Sequence, residues 1–189
     1  MGIKEGRILV INKEFTLPMS GDICVEIYKL SKESKEDITI IINSTGGNIR
    51  ALDSIVSALK GSGCNINTVL IGTIACSCGA QLFLSGDERI MLNGSELLIH
   101  EPGITFKDGT RYSCTQLKKK LKELKEDKAN FLDCILKVSN CNKKFINSKI
   151  KNKDWYINAK EAFKFGLATK IIYSFDEINA EGIGEKDEQ

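Results

Sequence analysis

Apolar residues fall along this chain in two kinds of block. Short runs rich in β-branched residues stand at Arg7–Ile11, Ile38–Ile42 and Ile66–Ile71. All three read as strands, and the continuous β-branched run Ile38–Ile42 as a buried one. Between them the apolar positions recur every three or four residues, which is the period of a helix with one buried face. Ile23, Ile27 and Leu30 make one such stripe. Ile49, Leu52, Ile55, Val56 and Leu59 make another. The pattern predicts a turn at Pro18, Gly21 and Asp22, with Asp22 capping a helix to about Lys32. It predicts a second helix from Ile49 that stops near Gly61 and Gly63.

Beyond Ile71 the pattern continues in the same alternation. Small residues surround Ser77, and an apolar helix runs to about Gly86. Strands are predicted at Glu88–Leu92 and Glu96–His100, followed by a loop over 101–114 in which Lys107-Asp108-Gly109-Thr110 suits a hairpin turn. Leu117, Leu121, Leu124, Phe131, Ile135 and Val138 then mark a long helix over about Thr115–Ser139. Its other faces carry Lys and Glu, so a solvated amphipathic helix and an oligomer seam both fit the spacing. Asn158 and Glu161 have capping-box spacing and open a helix ending near Gly166. Ala168–Tyr173 reads as a last strand, and an acidic tail from Asp176 reads as fraying. Strands alternating with helices argue for an α/β fold with a largely parallel sheet. One domain over residues 1–175 and a flexible tail over 176–189 are expected.

Composition narrows the class. With 42% hydrophobic residues in 189, the chain has enough apolar surface for a core without metals or disulfides. A net charge of +2 offers no electrostatic case for nucleic acid or an anionic membrane. Seven cysteines without paired spacings read as reduced thiols of a cytoplasmic protein. The one histidine and scattered cysteines make no zinc pattern, so neither metal nor cofactor is expected. No stretch reads as a signal peptide or a membrane span. Gly2 is not followed by Ser or Thr at position 6, which argues against myristoylation.

Three side chains and two loops carry candidate chemistry. Ser77 stands where a strand gives way to a helix, among small neighbours that let a substrate backbone approach. The unpaired N–H groups there suit a nucleophile that becomes negatively charged. An N-cap serine explains the same position. His100 ends the strand Leu97–His100 and is the obligatory base of any Ser–His site in this chain. An ordinary strand-end histidine with a satisfied ring explains the same position. Asp154 offers a carboxylate to hold an imidazole, or is a solvated loop aspartate. Gly46 and Gly47 allow close backbone approach, suiting an oxyanion donor or an added substrate strand. The loop lacks both nucleotide-binding glycine patterns.

Four segments together resemble the ClpP peptidase family. Ile42-Asn43-Ser44-Thr45-Gly46-Gly47 is similar to its I-N-S-P-G-G loop, and Ser77-Cys78-Gly79-Ala80 to the S-M-G-A of its nucleophile. Leu98-Ile99-His100-Glu101-Pro102 resembles M-I-H-Q-P, and Asp154 through Leu167 resembles the family's D-x-F-[LM]-[ST]-A-x-E-A-x-x-Y-G-L. The resemblance runs in order from about residue 7 to 173. It implies a ClpP/crotonase-like fold of repeated β-β-α units with a protruding long handle helix. It implies a serine endopeptidase with Ser77, His100 and Asp154 as its triad and no cofactor. Backbone N–H groups of Gly47 and Cys78 would form the oxyanion hole, with Gly46 and Gly47 binding substrate. Partners implied are further copies of the chain in stacked, heptameric rings, an AAA+ unfoldase, and unfolded protein or peptide. Other roles on this fold are a phage capsid-maturation peptidase, an inactive ring subunit and a crotonase-type acyl-CoA enzyme.

Overall fold

The computed structural model describes residues 6–72, 74–104, 106 and 108–179. Strands β1 (Ile8–Ile11), β2 (Ile38–Ile42), β3 (Ile66–Leu70), β5 (Glu88–Leu92) and β8 (Lys170–Ile172) form one sheet in that order. Every neighbouring pair in it is parallel. The continuous apolar run of β2 is thus explained, since Ile38, Ile40 and Ile42 have no exposed surface, whereas β1 at the sheet edge exposes Ile8 and Val10. Helices α1 (Leu17–Glu33) and α2 (Ile49–Ser62) follow the first two strands and pack on each other.

A second, smaller sheet was not foreseen. It orders β4 (Ile74–Cys76), β6 (Glu96–Ile99) and β7 (Trp155–Asn158). After β3 and again after β5 the chain leaves the large sheet, adds a strand to the small one and enters a helix. Those helices are α3 (Cys78–Leu84) and α4 (Cys114–Val138). The loop after β2 makes the same excursion without a full strand. Its Ser44 carbonyl accepts from the Cys76 N–H at 3.0 Å. The result is a repeated β-β-α unit with one long helix.

Local chemistry explains where the elements differ from expectation. Helix α1 starts at Leu17, not Asp22, because Thr16 Oγ1 accepts from the Met19 N–H at 3.3 Å. Pro18 stands in the first turn, where no helical carbonyl needs its missing N–H. Pro18, Gly21 and Asp22 are therefore helical, not a turn. Helix α4 opens one residue early on a capping box of Ser113 and Gln116. Helix α5 (Lys143–Ile150), capped by Asn142, and strand β7 were missed. The Asn158–Glu161 capping box opens α6 (Ala159–Lys164) as its spacing indicates. Asp108 and Gly109 form a turn with no strands beside it among the described residues, and Lys107 lies outside them. The first four residues of the expected tail are instead α7 (Asp176–Asn179), where Ser174 Oγ accepts from the Asp176 N–H and the Ser174 N–H reaches Glu177. Residues 180–189 lie outside the described residues.

Two buried arginines brace this frame, and neither was singled out from sequence. Arg7 donates to the carbonyls of Leu30, Asp37 and Glu36 at 3.0, 3.1 and 2.9 Å, closing the C-terminal end of α1. Arg89 donates to the Leu167 and Gly86 carbonyls, both at 2.9 Å, and so ties β5 to the turn after α6.

Candidate active site

Ser77 follows the last residue of β4 and has φ 52° and ψ −118°. A non-glycine residue there is strained, by about 1–3 kcal/mol, and persists only when its surroundings impose it. The surroundings are the glycine loop. A Cβ on Gly46 would stand 2.7 Å from the Ser77 Cβ, and one on Gly79 would stand 2.6 Å from the Ser44 carbonyl oxygen. Only glycine at both positions lets the loop and the serine turn lie in contact. Ser77 is the N-cap of α3 by position, yet its hydroxyl makes no capping hydrogen bond. The simple N-cap explanation therefore lacks its defining contact.

Strand register brings the other two candidates to the same edge. Parallel pairing sets Cys76 beside Leu98, so β4 and β6 end together. Antiparallel pairing sets Leu98 opposite Tyr156 and Ile99 opposite Trp155. His100 directly follows β6 and Asp154 directly precedes β7, so both stand at that end of the small sheet. Because β7 runs against its neighbour, its beginning lies where β4 and β6 finish. Asp154 is exposed and His100 half-buried. The Asp154 charge reaches the serine turn, since the Cys76 thiol is raised first by burial and then by Asp154.

The imidazole has a different partner in this single chain. His100 Nδ1 lies 2.9 Å from the carbonyl oxygen of Glu101. Among the described residues no hydrogen bond joins His100 to Asp154 or to Ser77. A proton on Nδ1 directed at that carbonyl leaves Nε2 as the bare nitrogen, the tautomer a general base requires. The Glu101 carboxylate itself is paired with Lys128 of α4. Hydrogen bonding to Lys128 holds that carboxyl below its ordinary value. This pair went unnoticed in the sequence, where both residues look like ordinary surface charges.

Ser77, His100, Gly47 and Cys78 line one cavity of about 280 Å³, whose far wall is α4. Gly47 forms a bridge with Phe15, in which the Phe15 N–H meets the Gly46 carbonyl and the Asn48 N–H meets the Phe15 carbonyl. In that pattern the N–H of Gly47 itself faces away from Phe15. Cys78 is the first residue of α3, so its N–H has no helical partner. Both backbone donors are thus available for an oxyanion. The Cys78 thiol donates to the Gly47 carbonyl at 3.3 Å, and burial pushes it up to about 11. At neutral pH it is a protonated donor linking the glycine loop to the start of α3 and not a nucleophile. Among the described residues no cluster of His, Cys, Asp and Glu is arranged to hold a metal ion. Among the same residues no helix is long and apolar enough to cross a membrane.

A family model described as Clp protease matches residues 2–175. The chain belongs to the Clp protease family. It is 33% identical over 180 residues to the ATP-dependent Clp protease proteolytic subunit 2 of Chlamydia pneumoniae, covering 92% of this chain and 84% of that protein. Against the proteolytic subunit 3 of Rhizobium meliloti the identity is 25% over 176 residues, covering 92% and 87%. A solved ClpP1 point mutant from Listeria monocytogenes superposes with a TM-score of 0.79 at 22% identity, over 91% of this chain and 94% of that one. That likeness establishes the shared fold. Membership of the Clp protease family makes this a serine-type peptidase subunit.

Proposed function

We propose that the chain hydrolyses peptide bonds in unfolded proteins or peptides through an acyl-enzyme formed on Ser77. The observation that carries this reading is the strained Ser77 turn, with its hydroxyl uncapped, opening into the same cavity as His100. His100 Nε2 takes the Ser77 proton as the oxygen attacks the carbonyl carbon. The N–H groups of Gly47 and Cys78 hold the resulting oxyanion, at about 3 kcal/mol per donor. His100 then protonates the leaving amine, and water releases the acyl group by the reverse proton transfers. Asp154 stabilises the imidazolium once Nδ1 turns from the Glu101 carbonyl toward it. Assembly into heptameric, stacked rings with an AAA+ unfoldase in the cytoplasm completes the proposal, with residues 1–175 acting as one domain.

The Nδ1 contact with Glu101 also favours a second reading, a ring subunit that does not cleave. A fluorophosphonate serine probe separates the two when native mass is recorded alongside. Labelling of the assembled protein that vanishes in Ser77→Ala is the expected result. An assembled ring that stays unlabelled would establish the non-catalytic role.

A further inference from the structure

The cavity beside Ser77 has a mixed lining, in which Gln81, Lys120 and Glu123 stand beside apolar side chains. Ile49, Ile104, Leu124 and Phe131 line it, and so does Asp127 of α4. Asp127 is half-buried and has no cation within ion-pair distance among the described residues. The nearby charges do not neutralise it. Glu123, also on the lining, stands 4.0 Å from Lys119. Lys120 lines the cavity too, with its ammonium 5.4 Å from the centre of the Tyr112 ring. Lys128, next in sequence, is committed to Glu101. Burial raises the Asp127 carboxyl first, and the charges of Asp53, Glu123 and Glu126 raise it further. Three carboxylates and burial thus act on this group, while Lys120, the cation on the lining, is not within ion-pair distance of it.

We propose that this cavity takes the side chain on the acyl side of the scissile bond, and that Asp127 makes it select lysine or arginine. The chemistry fits both halves of such a side chain. Its methylene stem lies along Ile49, Leu124 and Phe131, while its charged head meets a half-buried carboxylate. The position fits as well, because the same cavity holds the attacking oxygen and both oxyanion donors, from which that side chain must project. The inference rests on the peptidase reading for its meaning, though binding alone tests it.

The experiment uses the 189-residue chain carrying Ser77→Ala, so that peptides bind without turnover. Labelled peptides identical except for Lys, Arg, Leu or Glu at the acyl-side position are titrated by fluorescence anisotropy. Expected is tighter binding of Lys and Arg than of Leu by roughly tenfold, the size of one charge-assisted contact. Asp127→Asn should collapse that ratio toward one, and Asp127→Glu should retain most of it. Equal or tighter binding of Leu or Glu overturns the proposal, as does a Lys preference that survives Asp127→Asn. Hydrolysis of the same peptides by the unmutated chain is the separate readout. A basic preference in binding with no turnover would sink the peptidase reading and leave the cation site standing.

Discussion

Gly46 is the residue on which the site depends most directly. It has φ 107°, and any Cβ would collide with the Cβ of Ser77 and crowd the Cys76 carbonyl oxygen at 3.0 Å. Gly46→Ala therefore combines backbone strain with a clash at the nucleophile turn. The expected loss of stability is about 2 kcal/mol or more, read as a shift in denaturant midpoint. Serine-probe labelling should fall even where the protein remains folded, because relief of the clash moves Ser77. An alanine variant that labels normally at unchanged stability would mean that the contact between loop and turn is dispensable. The serine itself was legible in sequence as a candidate. Its strain was not, since nothing in Ala75-Cys76-Ser77-Cys78 announces a positive φ.

Helix α4 acts at the scale of elements, because it serves three surroundings along its length. Phe131, Leu132 and Ile135 are core residues. Leu124 and Asp127 face the cavity. Lys128 holds Glu101, whose own carbonyl meets His100, so the helix and the imidazole are joined through one residue. The Glu101 carboxyl is held low in the folded chain. Its pairing therefore contributes stability at neutral pH, above the unfolded carboxylate value of about 4.3. That contribution is lost as pH falls through the lower folded value. Lys128→Ala should thus lower the melting temperature at pH 7 and cease to matter in acid. The difference stays within the 1 kcal/mol or so ordinary for half-exposed pairs. A deficit that persists unchanged at low pH would assign the role to packing of the lysine stem.

The apolar stripe on α4 also reaches beyond the single chain. Leu117 is 44% exposed and Leu121 51% exposed. Sequence spacing left a solvated helix and an oligomer seam both open, and the structure divides the stripe between core and bare surface. In the proposed assembly that bare end meets another copy. Leu117→Glu with Leu121→Glu should leave the monomer folded and reduce the assembled mass, measured by analytical ultracentrifugation. Unchanged mass would remove α4 from the ring contacts. Loss of mass accompanied by loss of serine labelling would tie alignment of His100 and Asp154 to assembly.

What sequence determined by itself is local. Helices and strands were legible where the period was strong, as in β2, α2 and α4, and the Asn158–Glu161 cap was readable because its partners lie three residues apart. Cap geometry that overrides composition was harder, which is why α1 is capped by Thr16 and not by Asp22. Ser77, His100 and the glycine loop were named from residue type and resemblance. Only tertiary structure decided that the ends of β4 and β6 and the start of β7 share an edge, since strand pairing joins residues far apart in sequence. It alone gave Glu101 to His100 and to Lys128, and it alone placed Asp127 on the wall of the Ser77 cavity. Periodicity records which face of an element is buried, whereas the partner across that face, and the charge left unpaired there, depend on how the elements meet.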